Sequence, residues 1–433
     1  MFSLETLAQT TTALSRINLS AGLSEFPADL YRFADSLEIL DLSGNQLSDL
    51  PADFHRFKQL KRLFLTNNNF HHIPAVLSLC PALVMVSFKG NQLTDFAQGS
   101  LPQQLEWLIL TDNQLTELPD DFGRYTKLRK VAMAGNQLSS LPDSMQQCRD
   151  LGLLRLSLNK FESFPDWLFQ LPKLAWLALG ANPACPVAEA VAIRAHALQD
   201  YQLLEKLGEG ASGVIYQARF AQDPELVALK QFKGWITSDG CPKDEMNNYL
   251  NAGEHPNLIA VKAKLKDCDL PGLVMQLVPA SFSVLGQPPS FDTCTRDTFT
   301  QGQHLTLLQL KHLAQQVVNV MAHLHQRQIV HGDLYAHNML VNAEQQLYLG
   351  DFGAATALHA LPQKQQQLFC ALEVRAFGYW LLDMQSLLSV MESGLFQQHC
   401  MAVVQLCLQE AVVSRPDFTQ LQLLVQDAFV AVA

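Results

Sequence analysis

Three oxygen-bearing side chains in the second half of the sequence have the types and spacing to support chemistry. Asp333 and Asn338 lie in the segment HGDLYAHNML, and Asp351 lies shortly after them in LYLGDFG. A carboxylate such as Asp333 can align a hydroxyl and accept its proton. The side-chain oxygens of Asn338 and Asp351 are ligands that Mg²⁺ prefers. This set suits phosphoryl transfer, for which a protein supplies mainly alignment and neutralisation of charge.

A glycine-rich segment and a lysine precede these residues in the chain. LGEGASGVIY contains Gly208, Gly210 and Gly213 and predicts two strands joined by a hairpin whose backbone amides can approach phosphates. Lys230 follows in VALK, on an apolar strand where a buried ammonium needs anionic partners. Nucleotide phosphates and a carboxylate from a helix would supply them.

The helix carboxylate has two candidates in DEMNNYLNAGEHPNLI. Glu245 precedes His255 on a predicted helix that leads into a strand, and it is preferred. Asp244 is the competitor. Glu254 is adjacent to the loop and is interpreted as a helix-end residue.

Residues 201–433 resemble the eukaryotic-type protein kinases, with the serine/threonine branch favoured. The resemblance is carried by the segments above and by the late SRPDF, which contains Arg415. It implies a two-lobed α+β fold that uses ATP and Mg²⁺. It also implies that Met275 lies behind the adenine pocket and that the main chain of Gln276 and Val278 bonds to the adenine edge. The residues so assigned to the nucleotide are Gly208, Glu209, Gly210, Gly213, Val214, Ala228, Lys230, Glu245, Met275, Gln276 and Val278.

The catalytic segment departs from the kinase pattern at two positions. Gly332 replaces the arginine that normally precedes the catalytic aspartate, so a cationic pocket for a phosphorylated activation loop is missing. We therefore expect activity that does not depend on phosphorylation of that loop. Tyr335 replaces a lysine, which leaves His337 as the cation of this segment if it is protonated.

The segment after LYLGDFG is unusually short. Asp351 is followed closely by Glu373, and EVRAFG at 373–378 resembles the start of the central helix of the large lobe. Reading 371–373 as a degenerate A-P-E motif would leave almost no chain before that helix, so a truncated activation segment is preferred. Gln363 to Gln367 is interpreted as a solvated loop, and the insertion between Pro279 and Leu305 receives no role.

The first half of the chain repeats the pattern L-x-x-L-x-L-x-x-N-x-L at a near-constant spacing, which is typical of a stacked-repeat architecture. Each copy predicts a short strand whose leucines stack on the next copy, followed by an asparagine that bonds to backbone groups of the turn. A degenerate copy around Leu14 makes eight turns. The asparagines are Asn45, Asn68, Asn91, Asn113, Asn136, Asn159 and Asn182.

Residues 14–185 resemble the leucine-rich-repeat family, which implies a curved ribbon that binds a partner on its concave face. Trp107 and Trp176 are expected to be exposed there, beside Phe64, Met85 and Ile109, as an apolar patch for a protein partner or for the chain's own kinase domain. The alternative is that flanking side chains cover much of that surface. The alanine-rich stretch 187–198 is expected to cap the last repeat.

Composition argues against several other kinds of protein. The net charge of −11 argues against binding to nucleic acid or to an anionic membrane. Nine scattered cysteines without a C-x-x-C pair argue against disulfides or structural zinc and favour a reducing cytoplasm. The N-terminus MFSLETLAQTT lacks the pattern of a secretory signal. No apolar run is long enough to insert into a membrane.

The expected architecture is an α/β leucine-rich-repeat solenoid at 1–185, a cap and linker at 186–200, and a kinase domain with a shortened activation segment at 201–433. The whole chain resembles the soluble, non-receptor leucine-rich-repeat kinases. The leading hypothesis is an ATP- and Mg²⁺-dependent serine/threonine kinase whose repeats recruit a protein substrate or regulator. The alternatives are a pseudokinase scaffold and a kinase for a small molecule.

Overall fold

The computed structural model describes residues 9–10, 12–187, 189–210, 212–221, 225–237, 239–267 and 269–430. Most of the N-terminal segment tested for a secretory signal lies outside these residues. The chain divides into two compact units, 1–173 and 174–433. The division falls before the last repeat, whereas the sequence places the end of the repeat domain at residue 185.

The first unit is a stack of short parallel strands, each paired in register with the next. Its loops carry short 3-10 helices. The middle residue of each strand is a fully buried aliphatic side chain, because one coil can cover its apolar face only by stacking on the next coil. The strands are β1 (Arg16–Asn18), β2 (Ile39–Asp41), β3 (Arg62–Phe64), β4 (Met85–Ser87), β5 (Trp107–Ile109), β6 (Lys130–Ala132) and β7 (Leu153–Arg155). The 3-10 helices are Ala28–Phe33, Phe54–Arg56, Ala75–Leu79, Phe122–Arg124, Asp143–Gln147 and Asp166–Gln170.

Buried asparagines form the predicted ladder between coils. The Oδ1 atom of Asn68 accepts the N–H of Leu47 at 3.0 Å, and its Nδ2 donates to the carbonyls of Leu42 and Leu65. Asn91, Asn113, Asn136 and Asn159 repeat this arrangement. Backbone groups freed by each turn are thereby satisfied out of water.

The strand register places Met85, Trp107 and Lys130 in one column. Trp107 is half-buried, and the Lys130 ammonium lies 4.3 Å from the centre of its ring. Met85 is only 3% exposed, so the expectation that it contributes to an exposed apolar patch is wrong. The period of a strand shows on which face a residue lies but not whether other side chains cover it.

The second unit begins with the eighth repeat strand and continues into a mixed sheet covered by one helix. The elements of this part of the second unit are β8 (Trp176–Ala178), β9 (Ala195–Ala197), β10 (Tyr201–Glu209), β11 (Gly213–Phe220), β12 (Leu226–Phe232), α1 (Pro242–Ala252), β13 (Val261–Lys266) and β14 (Gly272–Gln276). The mixed sheet contains, among described residues, six strands in the order β10-β11-β12-β14-β13-β9.

The stretch 187–198 differs from the expected cap. Its described residues contain β9, which pairs in parallel with β13 at the edge of the sheet. The apolar side chains of Ala190 and Ile193 pack against the cluster of Ala228, Leu250 and Met275. The apolar face of this stretch therefore serves the sheet of the kinase half.

A helical layer with short hairpins follows the sheet. The helix α2 packs against α6, and α3 packs against α5. The elements are β15 (Ser283–Val284), α2 (Leu307–Gln326), β16 (Ile329–Val330), β17 (Met339–Val341), β18 (Leu347–Leu349), β19 (Thr356–Ala357), α3 (Gln363–Gln385), α4 (Val390–His399), α5 (Met401–Cys407) and α6 (Phe418–Val430).

The helix α3 corrects one prediction. Gln363 to Gln367 forms its first turns and is not a solvated loop, so the helix begins well before Glu373. Glutamine and lysine are good helix formers, and Pro362 precedes the helix as its N-cap residue. The chain between Asp351 and the helix is therefore even shorter than expected.

None of the described helices is both long and apolar enough to cross a membrane.

Candidate active site

A buried ion pair links the sheet to its helix. Lys230 extends from β12, and its Nζ atom donates to Oε1 of Glu245 in the first turn of α1. The two side chains are 13% and 4% exposed. Burial opposes the charge on Lys230, but the carboxylates of Glu245 and Asp351 outweigh it and raise its pKa. The lysine is thereby held as a cation at the base of the site.

Asp244, the competing carboxylate, points elsewhere. A Cβ atom placed on Gly180 would lie 2.1 Å from its Oδ2 atom. Burial raises the pKa of Asp244 to about 7. Of the two candidates on α1, the structure brings Glu245 to the lysine.

Asp351 lies beside this ion pair, and its side chain is exposed. The next residue, Phe352, is fully buried, with its ring 4.4 Å from that of Tyr249 on α1 and 5.1 Å from that of His331. This packing turns the phenyl ring into the core and leaves the carboxylate of Asp351 facing out.

Asp333 and Asn338 are joined directly. The Nδ2 atom of Asn338 donates to Oδ2 of Asp333 at 2.8 Å and to the Asp333 carbonyl at 2.9 Å. The backbone N–H of Gly350 donates to the carbonyl of Asn338 at 2.9 Å, and His331 bonds through Nε2 to the carbonyl of Gly350. These bonds hold the segment of Asp333 beside the residue that precedes Asp351.

The donors available to a metal fit magnesium. Asp351 offers a carboxylate, and the amide of Asn338 offers Oδ1 because its Nδ2 is bonded to Asp333. No group of three or more His, Cys, Asp or Glu side chains in the described part of the chain could hold a metal by itself. Two oxygen ligands are nevertheless enough, since Mg²⁺ usually completes its shell with water and substrate phosphates.

The glycine-rich segment forms the hairpin between β10 and β11, with Ala211 outside the described residues. Gly210 N–H donates to the carbonyl of Gly213 at 2.9 Å. A Cβ atom on Gly213 would lie 2.5 Å from the carbonyl oxygen of Gln231, so only glycine fits. Glu209 pairs with Lys206 and Lys233 on the exposed side, and Val214 is its register partner.

The adenine-pocket candidates lie on two adjacent strands. Ala228 of β12 and Met275 of β14 are register partners, and both are buried. The N–H of Gln276 donates to the carbonyl of Ala260 at 2.8 Å. Val278 is half-buried and follows the end of β14, and the main chain of Gln276 and Val278 stays the predicted contact to the adenine edge.

Two residues that contact the segment of Asp333 were not predicted from the sequence to do so. The first is Asp297, in the insertion that had no assigned role. Its carboxylate is 1% exposed, accepts the N–H of Ala336 and bonds to Nδ1 of His337, both at 2.6 Å. Burial opposes the charge on His337, but Asp297 and the nearby Asp333 and Asp351 raise its pKa. Asp297 lies far from His337 in the sequence and in an irregular segment, so no local sequence pattern predicts their contact.

The second is Trp176, which was expected on an exposed surface. It is 2% exposed and packs within the second unit against Tyr335, so that expectation is wrong.

Glu373, predicted near the start of a central helix, lies in the middle of α3 and contacts the catalytic segment. It accepts the N–H of Gly332 at 2.6 Å and bonds to Nε2 of His325 at 2.7 Å. Gly332 has a positive φ, and a Cβ atom there would lie 2.5 Å from the carbonyl oxygen of Ala354. The position of the missing arginine therefore has no room for a side chain.

Comparison with known families agrees with this geometry. Residues 201–374 match the family described as protein kinase domain, and residues 35–93 match the family described as leucine rich repeat. This chain joins leucine-rich repeats to a protein kinase domain. The predicted fold class and the predicted pairing of the two families are confirmed.

The chain is also similar to curated proteins described as kinases. The chain is 30% identical over 183 residues to serine/threonine-protein kinase PITSLRE of Drosophila melanogaster. The matched region covers 41% of this chain and 18% of that protein. It is 31% identical over 163 residues to cyclin-dependent kinase 11.1 of Caenorhabditis elegans, 36% of this chain and 21% of that protein. The chain thus spans about a fifth of the length of these relatives.

A solved leucine-rich-repeat protein of Leptospira interrogans is similar over 42% of this chain and 52% of its own, at 27% identity and a TM-score of 0.35.

Proposed function

We propose that this chain is an ATP- and Mg²⁺-dependent serine/threonine protein kinase. The observation that supports the proposal best is that Lys230, Glu245 and Asp351 lie together beside a separate Asp333–Asn338 pair. A cation, three acids and an amide oxygen so arranged match the needs of phosphoryl transfer. The relatives described as serine/threonine-protein kinases support the choice of acceptor.

Each residue has a separable role in this proposal. Lys230, oriented by Glu245, holds the phosphates of ATP. Asp333 aligns the acceptor hydroxyl and takes its proton, and Asn338 keeps its carboxylate in place. Magnesium bound to Asp351 and Asn338 would neutralise charge on the phosphates. The remaining nucleotide contacts belong to Gly208, Glu209, Gly210, Gly213, Val214, Ala228, Met275, Gln276 and Val278.

The domains and their setting belong to the same proposal. Residues 1–185 form the repeat solenoid, 186–200 form a linker, and 201–433 form the kinase domain, with 174–200 in the same compact unit as the kinase domain. The concave face of the repeats recruits a protein substrate or regulator. The cytoplasm is the proposed location, because nine scattered cysteines without a C-x-x-C pair fit a reducing compartment.

Activity is proposed to be independent of activation-loop phosphorylation. Gly332 leaves no arginine to read a phosphate, and α3 begins at Gln363, shortly after Asp351. Such a short segment offers little platform for a peptide, so recruitment by the repeats gains importance.

Incubation of the purified chain with γ-labelled ATP, Mg²⁺ and generic protein acceptors tests the proposal. We expect label on serine or threonine after acid hydrolysis, and none after removal of the metal by a chelator. Label on a small hydroxylated acceptor alone would indicate a small-molecule kinase. Binding of ATP without any transfer would indicate a pseudokinase scaffold and would contradict the proposal.

A further inference from the structure

The eighth repeat strand lies against the catalytic segment within the second unit. The indole ring of Trp176 stacks on Tyr335, with ring centres 4.6 Å apart and planes 8° apart. The indole also stacks on Tyr379 of α3, with ring centres 5.6 Å apart and planes 21° apart. The Nε1 atom donates to the carbonyl of Leu334 at 3.3 Å. Trp176 therefore contacts both residues that directly follow Asp333.

Three further contacts fix this strand in place. The N–H of Leu179 donates to Oγ1 of Thr356, which is fully buried in the short segment after Asp351. The Nη1 atom of Arg375 on α3 donates to the carbonyl of Leu174 at 2.9 Å. A Cβ atom on Gly332 would lie 2.8 Å from the carbonyl oxygen of Leu177. The strand thus contacts the segment that contains Gly332, the segment after Asp351, and helix α3.

The contacts are specific to the ring of Trp176. The flat indole stacks on two tyrosine rings and donates a hydrogen bond to the backbone carbonyl of Leu334. A smaller apolar side chain would leave a gap beside Tyr335 and would leave the Leu334 carbonyl without this donor. Both defects would fall on the residues next to Asp333.

We propose that Trp176 is a positioning residue of the kinase: it holds Leu334 and Tyr335, and through them orients Asp333. The inference rests on the proposed function, in which Asp333 aligns the acceptor. It means that a residue of the repeat sequence completes the catalytic segment.

Steady-state kinetics of the full chain test the inference with matched tryptophan variants. Trp176→Leu keeps apolar bulk but removes the stack and the donor, and we expect kcat to fall about tenfold to a hundredfold. The KM for ATP should stay within about twofold, because Lys230 and Glu245 are untouched. Trp176→Phe keeps an aromatic ring that can stack on the tyrosines and should recover most of the rate. Trp167→Ala, on an outer 3-10 helix of the first unit, should behave like wild type.

Hydrogen exchange of the backbone amides in 331–341 gives a second readout that does not require activity. Trp176→Leu should raise the exchange rate there, and Trp167→Ala should not. Unchanged exchange together with an unchanged kcat would overturn the inference while leaving the proposed function intact. A wild-type chain without transferase activity would instead refute the proposed function, and exchange alone would then decide whether Trp176 orders this segment. A general loss of folding in Trp176→Leu, seen as faster exchange throughout the second unit and not recovered by Trp176→Phe, would also count against a positioning role.

Discussion

Gly332 shows how one residue explains a departure from the kinase pattern. Its positive φ is a conformation that side chains rarely adopt, and carbonyl oxygens of Ala354 and Leu177 crowd the place where a Cβ atom would lie. The replacement of arginine by glycine is therefore tied to the local packing of the backbone.

Restoring the arginine should damage the protein. We expect Gly332→Arg to lower the free energy of unfolding by more than about 2 kcal/mol and to abolish activity, because backbone atoms must move. Thermal unfolding and a transfer assay measure both effects. Gly302→Arg is the matched control, since Gly302 also has a positive φ but no atom within 4 Å of a Cβ. Equal losses in both variants would show that strain alone, and not crowding, is responsible.

The buried Asp244 predicts a dependence of stability on pH. Burial raises its pKa from 3.8 to about 7. Between these values the folded chain retains a proton that the unfolded chain has released, so this stabilisation is complete below pH 3.8 and is lost as the pH rises through 7. Asp244→Asn removes this titratable group. Its free energy of unfolding should exceed that of wild type by an amount that grows between about pH 4 and 7 and reaches up to about 4 kcal/mol.

Denaturant titrations across that pH range measure the difference. Asp269→Asn, at an exposed position, should follow the wild-type curve. A constant offset between Asp244→Asn and wild type at every pH would contradict the account.

At the scale of elements, α3 connects the helical layer to the catalytic segment. Glu373 in its middle bonds to Gly332 and to His325 of α2. Burial disfavours charge on His325, but Cys370 and Glu373 raise its pKa to about 10, so the imidazole is charged at neutral pH. The carboxylate thus joins two elements through a buried ion pair.

Glu373→Ala should therefore leave a buried charge and a buried N–H without their partner. We expect the free energy of unfolding to fall by about 3–5 kcal/mol at neutral pH, measured by chemical denaturation. Glu344→Ala, at an exposed position, is the control and should change it by less than about 0.5 kcal/mol. A loss of similar size in both variants would remove Glu373 from this role.

The elements also show what could be predicted from the sequence. The period of the leucines and asparagines predicts the repeat strands, and short motifs predict the hairpin of Gly213 and the segment of Asp333, because those structures depend on local chemistry. The role of Trp176 could not be predicted, since the strand period places it correctly on β8 but does not reveal that Tyr335, far later in the sequence, covers it. Asp297 was missed for the same reason. The start of α3 was misplaced because polar helix formers also suit a loop.

At the scale of the whole molecule, we propose that phosphoryl transfer takes place in the second unit and that the repeats recruit a protein substrate or regulator. Everything assigned to the chemistry requires that Asp333 act on an acceptor while ATP is held by other groups. A neutral residue of the same shape at 333 therefore separates transfer from binding, because Asn retains the volume of Asp but cannot accept the proton.

The most direct test is the initial rate of γ-phosphate transfer by wild type and by Asp333→Asn, measured with the ATP affinity of both. The account predicts a rate lower by about 10²- to 10⁴-fold in the variant, with ATP binding within about threefold of wild type. Equal rates would contradict it, since the transfer would then not depend on Asp333.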